Sequence, residues 1–359
     1  MMESFPPIPA PPLLIAHLLG LLFIIHVLFM NYVIAAPLLS GWFLWSKPEV
    51  GRKYATWLMS AVPVVFTFAI NFGVACLLFV QVLYPERFYT ANIILGHRWL
   101  AIIGLLMAAF YLCYILLRWL FNPARSPVLC AWTGVVIAAL VLSVGGLMTA
   151  NYFLSTGKVQ WLRLLARPGL VMESATFLPR FLHMAVGAFS VAGLWMVWIS
   201  WWRQKREGAT AELSEFRRQG LYVATGATGL QIVIGIWFLL TLPSEVWDQL
   251  FSGTFPSLVW IAGVACGLSM FGLLMAAIAN PDKRVWQKGA THLLAATLIG
   301  MVAGRDVVRR VAFAGDTPVA DLPSRTQSEP MMVFAIVLIL GLVTLLWLYR
   351  KIRRLPVAK

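Results

Sequence analysis

Five histidines, His17, His26, His97, His183 and His292, lie within or at the ends of long apolar runs. A neutral imidazole in such surroundings is a good axial ligand for haem iron, and facing helices can present ring nitrogens to the two faces of a porphyrin. Taken singly, an intramembrane histidine is more often a polar group bonded to a nearby carbonyl or hydroxyl. Clustering shifts that balance. His17, His26, His97 and His183 fall toward one end of their runs, the end that also carries Arg98, Arg180, Arg305, Arg309 and Arg310. Guanidinium groups there suit haem propionates or an anionic quinone head group. His17 and His26 point to opposite faces of one helix, about 180° apart at 3.6 residues per turn, so they cannot serve one iron together. His292 lies nearer the other end with only Lys288 beside it and reads as an ordinary packed histidine.

Other chemistries are disfavoured. The 14 acidic residues fall in loops or close to helix ends, and no apolar run has a carboxylate at its centre. Proton pumps and proton-coupled transporters rely on an intramembrane acid, which bears its desolvation cost only where it has a task. Cys76, Cys113, Cys130 and Cys266 form no CxxC or CxxCH spacing, which argues against covalent haem, zinc and a disulfide framework. Tryptophans near the run ends read as an aromatic belt, and methionines as packing.

The elements that must position these groups follow from composition. Of 359 residues, 60% are hydrophobic and 12% charged, with mean hydropathy +0.82, whereas soluble domains carry about 25% charged residues. Apolar runs at about 13–45, 54–84, 94–120, 127–153, 178–202, 219–241, 254–279, 287–308 and 331–349 predict nine transmembrane helices. The expected fold is all-α: two four-helix bundles plus one peripheral helix, the chain 1–359 forming a single integral membrane domain. Most of the 28 Lys and Arg fall on one side of that alternation. The positive-inside rule then predicts the N-terminus outside and the C-terminus cytoplasmic; in a bacterial inner membrane, the expected location, the outside is the periplasm. The net charge of +14 thus reports topology and contact with anionic lipid, not a nucleic-acid partner. The proline-rich start lacks a basic n-region and a cleavage site, so it is not read as a removed signal peptide.

Four segments together resemble subunit I of the cytochrome bd quinol oxidases. The run His26–Leu39 (HVLFMNYVIAAPLL) is similar to the family helix carrying the axial histidine of the active-site haem. Phe68–Ala75 (FAINFGVA) is similar to a family signature, and Pro179–Ala188 (PRFLHMAVGA) to the helix whose histidine, here His183, binds the low-spin haem b. Ala303–Asp306 (AGRD) stands where the family has Gly-Arg-Gln-Pro-Trp. The resemblance spans nearly the whole chain and implies haem b, two or more, together with a quinone or quinol and a second membrane subunit.

The departures from the family bear on mechanism. Its glutamates in the third helix and before the Gly-Arg motif are absent from Leu100–Tyr111 and Gly300–Gly304, and the long external quinol loop is reduced to Thr241–Thr254. The arginine and methionine at the start of helix seven are replaced within Pro256–Gly267. His97, about a turn and a half before the lost glutamate, is a histidine the family pattern does not lead one to expect. Exchange of a carboxylate and open coordination for a second imidazole would leave a six-coordinate iron that only passes electrons. The expectation is that His26 or His17 pairs with His97 and that His183 holds a second haem. The chain then passes electrons between the quinone pool and a periplasmic cytochrome c-type partner. Two alternatives stay open: a terminal quinol oxidase subunit reducing oxygen, and a haem-free membrane scaffold or transporter.

Overall fold

The computed structural model describes residues 6–157, 161–281 and 283–354. The first residues of the proline-rich start, the middle of the 154–177 connection, Asp282 and the end of the basic tail lie outside them. Thirteen helices are described: α1 (Pro12–Ser46), α2 (Gly51–Met59), α3 (Val62–Leu83), α4 (Pro85–Leu95), α5 (His97–Leu120), α6 (Pro127–Thr156), α7 (Trp161–Ala166), α8 (Phe177–Glu207), α9 (Ala211–Leu240), α10 (Ser244–Leu250), α11 (Phe255–Ala279), α12 (Arg284–Ala312) and α13 (Ser328–Arg354). Eight segments are long and apolar enough to cross a membrane, α2 and α3 counting as one, and α13 is apolar over Ser328–Gly341. Among the described residues the only β-type pairing is an isolated bridge between Ile8 and Ser324. The chain is an all-α membrane protein. One bundle is built on α1, α3, α5 and α6, another on α8, α9, α11 and α12, and α1 joins them through α8 and α12. The side chains described along α13 are nearly all exposed.

Local chemistry sets the breaks. The run at 54–84 divides at Ser60–Ala61, where Pro63 opens α3 in the first turn that tolerates it. Gly96, at φ 56°, separates α4 from α5 in a conformation that disfavours any side chain. The third span therefore begins at His97, preceded by a short helix with polar and apolar residues mixed. Gly208, at φ 88°, ends α8 after Lys205 and Arg206, whose charges suit a helix C-terminus. The Thr210 hydroxyl then caps α9, accepting from the Leu213 N–H at 3.2 Å.

Lipid supplies no hydrophobic drive between helices, so they associate where small residues let backbones approach. A Cβ on Gly263 of α11 would lie 2.5 Å from the Gly300 Cα of α12. One on Gly134 of α6 would lie 2.5 Å from the Pro37 carbonyl of α1, and one on Gly193 of α8 would lie 2.5 Å from the Gly220 carbonyl of α9.

Packing differs between the two ends of the bundles. At the distal end, away from the start of α1, residues 31–37 of α1 are all buried, as are most of 188–201 of α8. Toward the proximal end, residues 22–30 of α1 and 180–187 of α8 are all half-exposed, on every face of their helices. A helix in a close-packed core alternates buried and exposed positions with its 3.6-residue period. Uniform half-exposure means that α1 and α8 are less closely covered in this half than in the distal one.

Candidate functional site

His26 and His183 both sit in these loosely packed stretches. The His26 Nδ1 lies 2.8 Å from the Ala69 carbonyl of α3. A carbonyl only accepts, so the proton is on Nδ1 and the Nε2 lone pair is free. Metal-binding histidines are commonly oriented by this type of outer bond. Facing the ring is Gly73, where a Cβ would lie 2.7 Å from His26 Cε1 and 2.9 Å from Nδ1. The imidazole lies against bare backbone.

His183 of α8 repeats the device against α9. A Cβ on Gly235 would stand 3.1 Å from its Cε1, and the Phe238 ring lies 6.3 Å away, centroid to centroid. Its Nδ1 is buried without a hydrogen-bond partner. Further along the same interface the Gln231 amide lies against Gly187, its Oε1 also buried and unpartnered. Beyond it Thr228 bonds Ser190 at 3.1 Å.

Two arginines bridge the imidazoles. Arg305 of α12 places its guanidinium 4.1 Å from the Phe23 ring centroid, and Phe23 is 6.1 Å from His26. Its other flank faces Tyr152 of α6 at 5.9 Å. Arg180 of α8 covers the same Tyr152 ring at 4.1 Å and Phe238 at 5.0 Å. An unbroken series of contacts thus runs His26, Phe23, Arg305, Tyr152, Arg180, Phe238, His183. Arg309 sits over Tyr84 at 5.1 Å and pairs with Asp306, which Arg310 also reaches at 2.9 Å.

The histidines expected to act with His26 are elsewhere. His17 is exposed, its Nδ1 held 2.6 Å from the Leu13 carbonyl one turn before it. His97 and Arg98 are exposed in the first turn of α5, whereas the His26 ring contacts α3 and Phe23. The fold therefore does not bring His97 and His26 together. His292 is exposed on α12.

The donors present fit haem. Tyr152 Oη, Arg180 Nε, His183 Nδ1 and Arg309 Nε are all buried without partners, and each such group costs about 1–3 kcal/mol unless a ligand satisfies it. Imidazoles facing glycines match a flat aromatic ligand, and Arg180 and Arg305, which have no carboxylate partner among the described residues, match its acidic edge. Among the described residues no group of three or more His, Cys, Asp or Glu could hold a bare metal ion. Tyr152, Gly235 and Gln231 escaped the sequence reading, and Gly73 entered it only within Phe68–Ala75, with no role of its own. Only the glycines carried a signal, and it becomes legible once the helix register is known.

No family model matches the chain, and no curated protein matches it. Among solved structures, the fold is similar to that of a bd oxidase from Geobacillus thermodenitrificans, with a TM-score of 0.71. The match covers 97% of this chain and 99% of that one at 12% identity. At that identity the likeness is one of fold, and it extends over essentially the whole of both chains.

Proposed function

We propose that the chain is a bacterial inner-membrane haem b protein, one membrane-embedded unit. In this reading it passes electrons between the quinone pool and a periplasmic cytochrome c-type partner, with a second membrane subunit beside it. One observation carries the reading: two half-buried imidazoles, each against a glycine, joined by Arg305, Tyr152 and Arg180. Bound haem would supply iron that changes oxidation state with little change of geometry. His26 would ligate through Nε2 while Ala69 fixes its tautomer. His183 would ligate a second haem, and Arg180, Arg305 and Arg309 would neutralise propionates. For the quinone, an open cleft of about 320 Å³ between α10, the start of α11 and the end of α12 supplies Glu245, Gln249 and Arg310 as polar groups. The N-terminus would be periplasmic, which puts both imidazoles in the outer half of the membrane.

The test is haem content. Protein purified from a host supplied with porphyrin should show b-type bands in a reduced-minus-oxidised spectrum. His26→Ala and His183→Ala should each lose about one haem per chain by pyridine haemochrome. A colourless wild type, or full haem content in both variants, overturns the reading.

A second reading is favoured by the position of His97. With that side chain exposed on α5, His26 would hold a haem without His97 as a second ligand, and a centre of that kind would bind small ligands, oxygen included. Carbon monoxide decides between them: a large shift of the reduced spectrum that His26→Ala abolishes supports oxygen reduction, and an unchanged spectrum supports electron transfer alone.

A further inference from the structure

At the distal end of the first bundle, far from the histidines, an open cleft of about 500 Å³ is lined by Ile115, Arg118, Trp119, Phe121, Asn122 and Arg125. It forms where α5 ends at Leu120 and before α6 begins at Pro127, so by the limits of both spans it lies at head-group depth. Its floor is held from below. The Arg52 guanidinium of α2 donates to the carbonyls of Trp119 at 3.2 Å, Asn122 at 3.3 Å and Arg125 at 2.6 Å. That clamp fixes the loop and adds a third positive charge behind it.

The lining is divided by chemistry. Arg118 and Arg125 are exposed and have no ion-pair partner among the described residues, and the sequence holds no acidic residue between Glu86 and Glu173. The Arg125 guanidinium lies 5.4 Å from the Trp119 ring centroid, which sets its plane and leaves its N–H groups for a ligand. Ile115, about a turn nearer the membrane centre than Arg118, is 40% exposed, and Phe121, beside the arginines just past the end of α5, is 67% exposed. Guanidiniums at the head-group level next to apolar side chains match one molecule with an anionic head and hydrocarbon tails.

We propose that this cleft binds the phosphate of an anionic phospholipid, gripped by Arg118 and Arg125 on a loop that Arg52 holds rigid. The test is native mass spectrometry of the full chain, delipidated in detergent and titrated with phosphatidylglycerol or phosphatidylcholine. Phosphatidylglycerol should be retained preferentially, and R118Q/R125Q should weaken its binding at least tenfold. K205Q/R206Q, which removes the same charge elsewhere on this face, should bind as wild type, and R118K/R125K should keep the preference for anionic lipid. R125Q alone preserves the carbonyl gripped by Arg52 and should show the same sign at about threefold, which covers a poorly folding double variant. Equal losses in R118Q/R125Q and K205Q/R206Q would reduce the effect to net charge and overturn the proposal. So would displacement of the lipid by millimolar inorganic phosphate, which would mark a site for the free anion.

Discussion

Alanine at Gly73 probes the His26 site without touching the imidazole itself. The added methyl carbon would stand 2.7 Å from His26 Cε1 and 2.9 Å from Nδ1, whereas carbon–carbon contacts are comfortable at about 3.5–4.0 Å. The ring must retreat by roughly 1 Å, enough to stretch the 2.8 Å bond to Ala69 beyond hydrogen-bonding range. Overpacking costs about 1–3 kcal/mol, and the lost bond about 1 kcal/mol more. Replacing a helical glycine returns about 1 kcal/mol. The net expectation is a loss of about 1–3 kcal/mol in unfolding free energy, with one haem lost or loosened. Gly235→Ala, whose methyl would meet His183 Cε1 at 3.1 Å, asks only a few tenths of an ångström and should be nearly neutral. Gly104→Ala on α5 meets nothing within 4 Å and should be neutral or slightly stabilising. Unfolding in detergent and haem-to-protein ratio, measured for the three variants together, test the ranking. A Gly73→Ala protein as stable and as fully loaded as Gly104→Ala would refute the idea that bare backbone at 73 is there for the imidazole.

Other expectations are shorter to state. His17→Ala and His97→Ala should retain full haem content, since both side chains are exposed; loss of a haem in His97→Ala, with carbon monoxide binding gained, would restore the His26–His97 pairing. Gly300→Ala should cost more stability than Gly73→Ala, about 3 kcal/mol or more, because it meets the Gly263 backbone and no side chain can turn away. Its thermal unfolding temperature reads this directly. Asp316→Asn removes the carboxylate paired with the buried Arg87, which among the described residues keeps the Ser155 carbonyl at 2.8 Å and the Phe313 ring at 4.0 Å. Because Asp316 is partly exposed, a loss of about 2 kcal/mol is expected, below the value for a fully buried pair, and an unchanged denaturation midpoint would contradict it.

The spans were legible because a run such as Val62–Leu83 leaves lipid as the only suitable solvent, and length alone then counts helices. Breaks inside those runs were harder to see. Pro63 and Gly96 marked them, but α4 mixes polar and apolar residues in proportions that also suit a loop. The site was half legible. His26, His183, Arg180 and Arg305 stood out because such side chains are costly in lipid. Which of them meet depends on the rotation and register of helices more than a hundred residues apart, and no local pattern records that. Tyr152 looks like any aromatic near a helix end until α8 and α12 each bring an arginine to its ring. The expected pairing of His97 with His26 rests on the place of His97 beside the family's lost third-helix glutamate, and a position along one helix does not say which way its side chain faces; His97 is exposed in the first turn of α5.

The contrast between the two halves of the bundles bears on how the molecule is made and wired. Backbone contacts at Gly134 and Gly193, with the buried stretches 31–37 and 188–201, lie in the distal half and are complete within the polypeptide. Under the proposed function, helix assembly at that end would not wait for the cofactor, and docking of the cofactor would be confined to the opposite half of the bundles. In the same reading the dense half would separate the imidazoles from the distal surface, so an electron at them would have its shorter path sideways and outward.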